Sequence, residues 1–174
     1  MSKLIRLTAG EFVWADDRFT IVADDERAPE GDVIISLTRY QAEGEMLLGH
    51  SRDVGVSLES DQSVDDLAYD LPRIPVVALA FPKYRDGRAY SGARLLRERY
   101  GFTGEVRAVG DVLREQARFM VRCGFDAFEP ADGSTPQQWA QAVGRFRHVY
   151  QRAADDLSPL FEERLSAAGK SHAL

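Results

Sequence analysis

Pro75-Val76-Val77-Ala78-Leu79-Ala80-Phe81-Pro82 sets an unbroken apolar run between two prolines. Apolar and polar residues do not alternate in it, so neither face of the segment is meant for water. A run of this length with turn residues at both ends suits a strand buried on both faces, as in a parallel sheet. The flanking sequence carries the helices that such a sheet needs. Upstream, Val54-Gly55-Val56-Ser57-Leu58 reads as a short strand. Ser63 then sits in an N-cap place with Asp66 three residues on, and Leu67, Tyr69 and Leu71 follow until Pro72 and Pro75 stop the helix. Downstream, residues 82–90 form a polar loop, and Ser91 offers a cap to a helix over 92–100 that Gly101 ends. Glu105-Val106-Arg107-Ala108-Val109 is the next strand. Gly110-Asp111 turns into a helix over 112–123, with Asp111 as N-cap and Gly124 as the left-handed stop. After a last short strand over 125–129, Thr135-Pro136-Gln137-Gln138 makes a capping box with proline at the first helical position. Trp139, Val143, Phe146 and Tyr150 then form one apolar stripe.

The N-terminal third reads differently. Leu4-Ile5-Arg6-Leu7, Phe12-Val13-Trp14 and Phe19-Thr20-Ile21-Val22 are short strand-forming runs, with Asp16-Asp17 as a tight turn between the last two. Residues 28–32 break this pattern. Val33-Ile34-Ile35-Ser36-Leu37 is either a strand or a first helical turn, and leads into a helix through Tyr40 and Met46-Leu47-Leu48. The expectation is one α/β domain over 1–156, with 1–32 as a β-hairpin extension, 33–156 as βα units and 157–174 as a flexible tail. Its form is a three-layer αβα sandwich with about five mostly parallel strands, flavodoxin-like or Rossmann-like. The alternative is a partial (β/α) barrel, because four consecutive βα units also make half of one. A half barrel exposes apolar edges and so calls for a homodimer.

Composition bounds the function. The 174 residues are 44% hydrophobic and 29% charged, the balance of one soluble globular domain rather than a disordered or collagen-like chain. A net charge of −6 argues against non-specific nucleic-acid binding. No signal-peptide core and no membrane-length apolar window are present, so a cytoplasmic protein is expected. The single cysteine, Cys123, has no partner, and His50, His148 and His172 are scattered, which leaves no metal-ligand set. Cys123 falls at the C-terminal end of a helix, the wrong end for an activated thiol. There is no dinucleotide or P-loop fingerprint, and no G-x-S-x-G elbow. No cofactor is therefore indicated.

Charge is unevenly spread. Residues 83–122 hold ten basic and five acidic side chains, a surplus of five, which leaves −11 for the rest of the chain. In α/β folds ligands gather where strands end and helices begin. The loop before the Ser91 helix carries Lys83, Arg85, Asp86 and Arg88, and together with the helix N-terminus it suits a tetrahedral anion. Arg107, inside a strand expected to be central, needs a carboxylate or a ligand. Asp111, Glu129 and Asp86 are its candidate partners. The candidate anion site is thus Lys83, Arg85, Asp86, Arg88, Ser91, Arg107 and Asp111.

Three motifs carry a family resemblance: Phe81-Pro82-Lys83-Tyr84-Arg85-Asp86-Gly87-Arg88-Ala89-Tyr90-Ser91 with Ala93-Arg94-Leu95-Leu96-Arg97-Glu98-Arg99, then Arg107-Ala108-Val109-Gly110-Asp111-Val112-Leu113, and Arg122-Cys123-Gly124-Phe125-Asp126-Ala127-Phe128. Over residues 33–130 the chain resembles domain-of-unknown-function family 934, bacterial proteins that often carry an oxidoreductase label tied to sulfite reduction. Arg85, Ala89 and Glu115 depart from the pattern, standing for a small polar residue, a glycine and an aspartate. The resemblance implies a place in sulfate assimilation and cysteine biosynthesis, beside sulfite reductase and its electron donor, and implies no mechanism. Three readings follow: an accessory protein binding sulfite, sulfate or a sulfonucleotide phosphate; a non-catalytic docking partner of sulfite reductase or its donor; and an oxidoreductase whose cofactor comes from a partner.

Overall fold

The computed structural model describes residues 3–49, 52–146, 148–155 and 157–171. His50 and His172 lie outside the described residues. Among the described residues there are eight strands: β1 (Leu4–Thr8), β2 (Glu11–Ala15), β3 (Thr20–Ile21), β4 (Val33–Ser36), β5 (Val54–Leu58), β6 (Val76–Phe81), β7 (Glu105–Gly110) and β8 (Ala127–Phe128). Five α-helices accompany them: α1 (Leu37–Leu48), α2 (Arg88–Glu98), α3 (Ala117–Cys123), α4 (Pro136–Gly144) and α5 (Leu160–Ser171).

The strands form one sheet in the order β2-β1-β8-β7-β6-β5-β4-β3. From β3 to β8 every pairing is parallel and between consecutive strands, while β1 runs antiparallel to β8 and β2. A doubly wound sheet must reverse its strand order at a switch point. This one never does, so the flavodoxin-like layering is replaced by a curled half-barrel, and eight strands stand where about five were expected. Right-handed crossovers taken always in the same direction put the helices on one face. There α1 packs on β4 and β5, α2 on β6 and α4 on β2.

The chain itself enforces the curl. β2 and β3 stand at opposite ends of the sheet, about 34 Å apart along a flat sheet at ~4.8 Å per strand. Yet Ala15 and Thr20 are joined only by Asp16-Asp17-Arg18-Phe19, whose reach is about 18 Å at most. Asp16-Asp17 is therefore no hairpin turn but the start of a tether across the concave face. Period-2 alternation sends Val77, Leu79 and Phe81 of β6 into the core beneath the helices, and Val76 and Ala78 into a second, smaller cluster with Ile34 and Phe19 of the tether. The apolar run around β6 is buried on both sides, as its lack of alternation requires.

Several local readings shift. Val33 to Ser36 is strand, and Ser36 caps α1 by accepting from the Arg39 N–H. The helix expected after Ser63 is reduced to 3-10 turns at Val64–Leu67 and Leu71–Arg73, because the prolines leave no room for a full helix. α2 begins at Arg88, three residues before Ser91, which is exposed within its first turn and caps nothing. Residues 112–123 do not form one helix: a 3-10 turn at Arg114–Gln116 precedes α3, and Asp111 is not its N-cap. The capping box at Thr135 and Gln138 is present as read. However, α4 ends at Gly144, so Phe146 and Tyr150 lie beyond it and are exposed, while Trp139 alone is fully buried against Phe128, their ring centroids 4.4 Å apart. Part of the segment expected as a tail is helical, as α5. No helix among the described residues is long and apolar enough to cross a membrane.

Candidate functional site

Arg107 lies in the middle of β7 on the concave face, with no exposed side-chain surface. Its Nη1 and Nη2 donate to the two carboxylate oxygens of Asp17 at 2.7 and 3.0 Å, its Nε donates to Glu105 at 2.7 Å, and Nη1 also reaches Glu129 at 3.3 Å. Glu105 in turn accepts from Arg6 Nε and Nη2 at 3.0 and 2.6 Å. Two guanidinium groups thus face three carboxylates. Of the partners read from sequence, Glu129 is correct, whereas Asp111 and Asp86 make no contact with Arg107. Burial pushes the Arg107 pKa down, but the hydrogen bonds and charges of Asp17 and Glu105 outweigh it and hold the group above its ordinary value. Asp17 shows the reverse competition: burial raises its pKa, and the Arg107 hydrogen bonds and the Phe19 N–H bring it below the usual value. Both members of the pair stay charged at neutral pH. Such a cluster locks the half-barrel interior rather than exchanging protons. Glu105 was detectable as the residue two positions before Arg107 on the same strand face. Asp17 and Arg6 become neighbours only through sheet order.

The 83–91 loop is a separate place. Asp86 occupies the position expected for an anion: it accepts from the Arg88 N–H at 3.2 Å and from Arg88 Nε and Nη2 at 3.0 and 2.6 Å. These bonds hold its carboxyl well below the usual carboxylate range. Arg88 is further tied to Ser60 Oγ at 2.7 Å. Asp111 accepts from the Tyr84 N–H at 2.7 Å and Gln116 Nε2 donates to the Tyr84 carbonyl at 3.3 Å, so the two clamp the loop backbone. Behind the loop, burial pushes the Tyr90 hydroxyl up to about 12. Lys83 and Arg85 are exposed and have no ion pair among the described residues. Of the seven candidate anion residues, the structure brings Lys83, Arg85, Asp86, Arg88 and Asp111 to one loop, leaves Ser91 on its rim and takes Arg107 elsewhere.

The basic surplus of residues 83–122 is mostly neutralised from outside. Arg97 pairs with Asp126, Arg99 with Asp65, Arg107 with Asp17 and Glu129, and Arg122 with Asp155. These five carboxylates all lie outside the window and equal its surplus in number. Besides Lys83 and Arg85, basic charge is concentrated in a groove of about 700 Å³ between α3 and α4, lined by Arg114, Arg118, Arg145 and the Asp155-paired Arg122 with Phe119 and Phe146, against one acid, Glu115. Arg118 satisfies the open C-terminal end of α4 by donating to the Val143 carbonyl at 2.7 Å and to the Phe146 carbonyl. Arg114 and Arg145 carry no salt bridge among the described residues, and Phe119 and Phe146 are 56% and 61% exposed. Arg118 and Arg145 both lie within 6 Å of the Phe146 ring, at 5.6 and 5.8 Å. Cys123 is buried, and burial pushes its thiol up, so it offers no activated nucleophile. No group of three or more His, Cys, Asp or Glu among the described residues has the geometry to hold a metal ion.

Fold and surface together define a βα half-barrel with an ion-paired interior and a basic, aromatic groove on its helical side. The chain belongs to the family of bacterial proteins of unknown function DUF934, whose model matches residues 55–161. The matched region opens within β5 and takes in the clamped loop and the whole groove, while β1 to β4 and the tether precede it. No curated protein matches the chain.

Proposed function

We propose that this protein is an accessory component of assimilatory sulfite reduction and cysteine biosynthesis that acts by docking, with sulfite reductase or its electron donor as partner. The observation that carries this reading is the groove between α3 and α4. Arg114 and Arg145, which make no salt bridge among the described residues, stand beside exposed Phe119 and Phe146 in a protein that pairs most of its other arginines internally. Exposed aromatic and arginine side chains are the usual anchors of a protein interface, and a basic groove selects an acidic surface. The deciding experiment measures binding of the purified protein to purified sulfite reductase, and separately to its electron donor, by calorimetry over a range of salt. Binding to one of them that falls steeply with salt and is lost in Arg114→Glu with Arg145→Glu supports docking. Absence of binding to both, or binding indifferent to the charge reversal, overturns it.

A second reading, a small oxyanion on the 83–91 loop, draws on Lys83 and Arg85, which have no ion pair among the described residues. Asp86 weighs against it, since its carboxylate already takes the N–H at the start of α2. Titration with sulfite, sulfate and adenylyl sulfate decides it: affinity lost in Lys83→Ala with Arg85→Ala supports a loop site, and no heat with any of the three removes it.

A further inference from the structure

Both walls of the groove are helical. Arg114, in the 3-10 turn that leads into α3, and Arg118 and Arg122, on α3 itself, follow one another at every fourth residue along one wall. Arg114 and Arg118 are thus one turn apart, about 6–8 Å along that wall. Ala142 of α4 and Arg145 at its C-terminal end line the other wall. Arg114, Arg118 and Arg145 make no salt bridge among the described residues, while Arg122 is held by Asp155. Phe119 on one wall and Phe146 beyond the end of the other are both more than half exposed.

We propose that the groove receives an amphipathic acidic helix of the docking partner. Carboxylates one turn apart on that helix stand opposite Arg114 and Arg118, another stands opposite Arg145, and apolar side chains cover Phe119 and Phe146. This inference rests on the docking reading of the groove and narrows an acidic surface to one kind of element. Backbone chemistry selects the helix. The groove has no strand edge, because its walls bond their own backbone groups, and the open end of α4 is already satisfied by Arg118. An extended segment would lay its N–H and C=O groups against walls with nothing to bond them, whereas a helix brings its own already paired. Spacing selects the helix as well. Residues four apart share one face of a helix, so carboxylates at i and i+4 repeat at the interval of Arg114 and Arg118. The nine residues of α4 run about 13 Å, a contact length of two to three turns for the docked helix. Such a helix is held through anchors at i, i+3, i+4 and i+7.

The probe is a fluorescent synthetic helix of four turns with glutamates one turn apart and leucines beside them, followed by anisotropy. Two altered peptides accompany it, one with glutamine for each glutamate and one with a central proline that breaks the helix. The acidic helix is expected to bind, and each altered peptide to bind about tenfold more weakly or worse. Arg114→Glu with Arg145→Glu abolishes binding, and Phe146→Ala, a change at an exposed ring, weakens it; circular dichroism confirms that both variants fold. The proline peptide binding as well as the intact one overturns the proposal in favour of an extended acidic segment. No binding of the intact helix, or binding indifferent to the charge reversal, also overturns it. Competition separates this inference from the docking reading. Sulfite reductase or its electron donor bound through the groove but undisturbed by saturating helix refutes the helix and leaves docking in place. Groove-dependent binding of the helix, with neither sulfite-reducing protein bound, supports the helix and refutes that choice of partner.

Discussion

The guanidinium of Arg107 grips the carboxylate of Asp17 with two hydrogen bonds, 2.7 and 3.0 Å long, across 90 residues of chain. One end of the pair is on the central strand β7. The other is on the tether that closes the curl of the sheet. The pair thus joins the two regions that strand order alone would leave far apart.

Removing the cation tests how much the closure depends on it. Arg107→Ala leaves Asp17, Glu105 and Glu129 facing one another inside the half-barrel and is expected to cost about 3–5 kcal/mol. Arg107→Lys recovers part of this, since one ammonium cannot form the forked contact with Asp17. Urea unfolding of the three proteins gives the order. An Arg107→Ala midpoint equal to wild type would show that the cluster is not a lock.

The pair also sets an acid dependence. Asp17 titrates below its ordinary value in the folded protein, so the stability it supplies is present above the unfolded carboxylate range near pH ~4 and is lost as pH falls through the lower folded value. Asp126, whose pKa burial raises, works in the opposite sense: its contribution declines as pH rises through the folded value. The gap in urea midpoint between wild type and Asp17→Asn is expected to be widest near about pH 7 and to close toward about pH 3. A gap that does not vary with pH would contradict the assignment.

Two glycines with positive φ separate strain from crowding. At Gly101, φ is +60° and a Cβ meets nothing within 4 Å, so Gly101→Ala costs about 1 kcal/mol. At Gly110, φ is +93° and a Cβ lands 2.5 Å from the Phe81 carbonyl oxygen, which accepts from the Asp111 N–H. Gly110→Ala is expected to lose about 1–3 kcal/mol to strain, with the displaced carbonyl bond in addition. Thermal unfolding that ranks the two variants equally would refute the crowding argument.

The loop clamp is local. Asp111→Ala removes the acceptor for the Tyr84 N–H and is expected to raise hydrogen exchange across residues 83–87 while the β6 amides keep wild-type protection. Unchanged exchange at Tyr84 would show that Gln116 alone holds the loop.

The groove was only half legible. Arg114, Arg118 and Arg122 belong to the charge surplus of residues 83–122 and Arg145 lies outside it, and the surplus points at the 83–91 loop because that loop precedes a helix. The acids that neutralise Arg97, Arg99, Arg107 and Arg122 come from residues 17, 65, 126, 129 and 155, and no window of sequence contains them together. The helical spacing of Phe146 from Trp139 puts the two in one apolar stripe. Periodicity says nothing about where a helix stops, and α4 stops before reaching Phe146.

By itself the sequence determined the units: a strand at 76–81 from an apolar run that tolerates no wet face, the start of α4 from its capping box at Thr135, and a chain of strand–helix repeats. It left open how the strands line up. Doubly wound sheets and half-barrels share the same local pattern, and they differ only in which strand each new one joins, a matter of long-range contacts. Tertiary structure decided it by returning the chain from β2 to β3 through four residues, so that the sheet must curl and Asp17 must meet Arg107. Hydrophobic period and capping act within a few residues, and charge pairing acts through space. Only the folded chain tells which of its arginines are spent on its own acids and which are left for a partner.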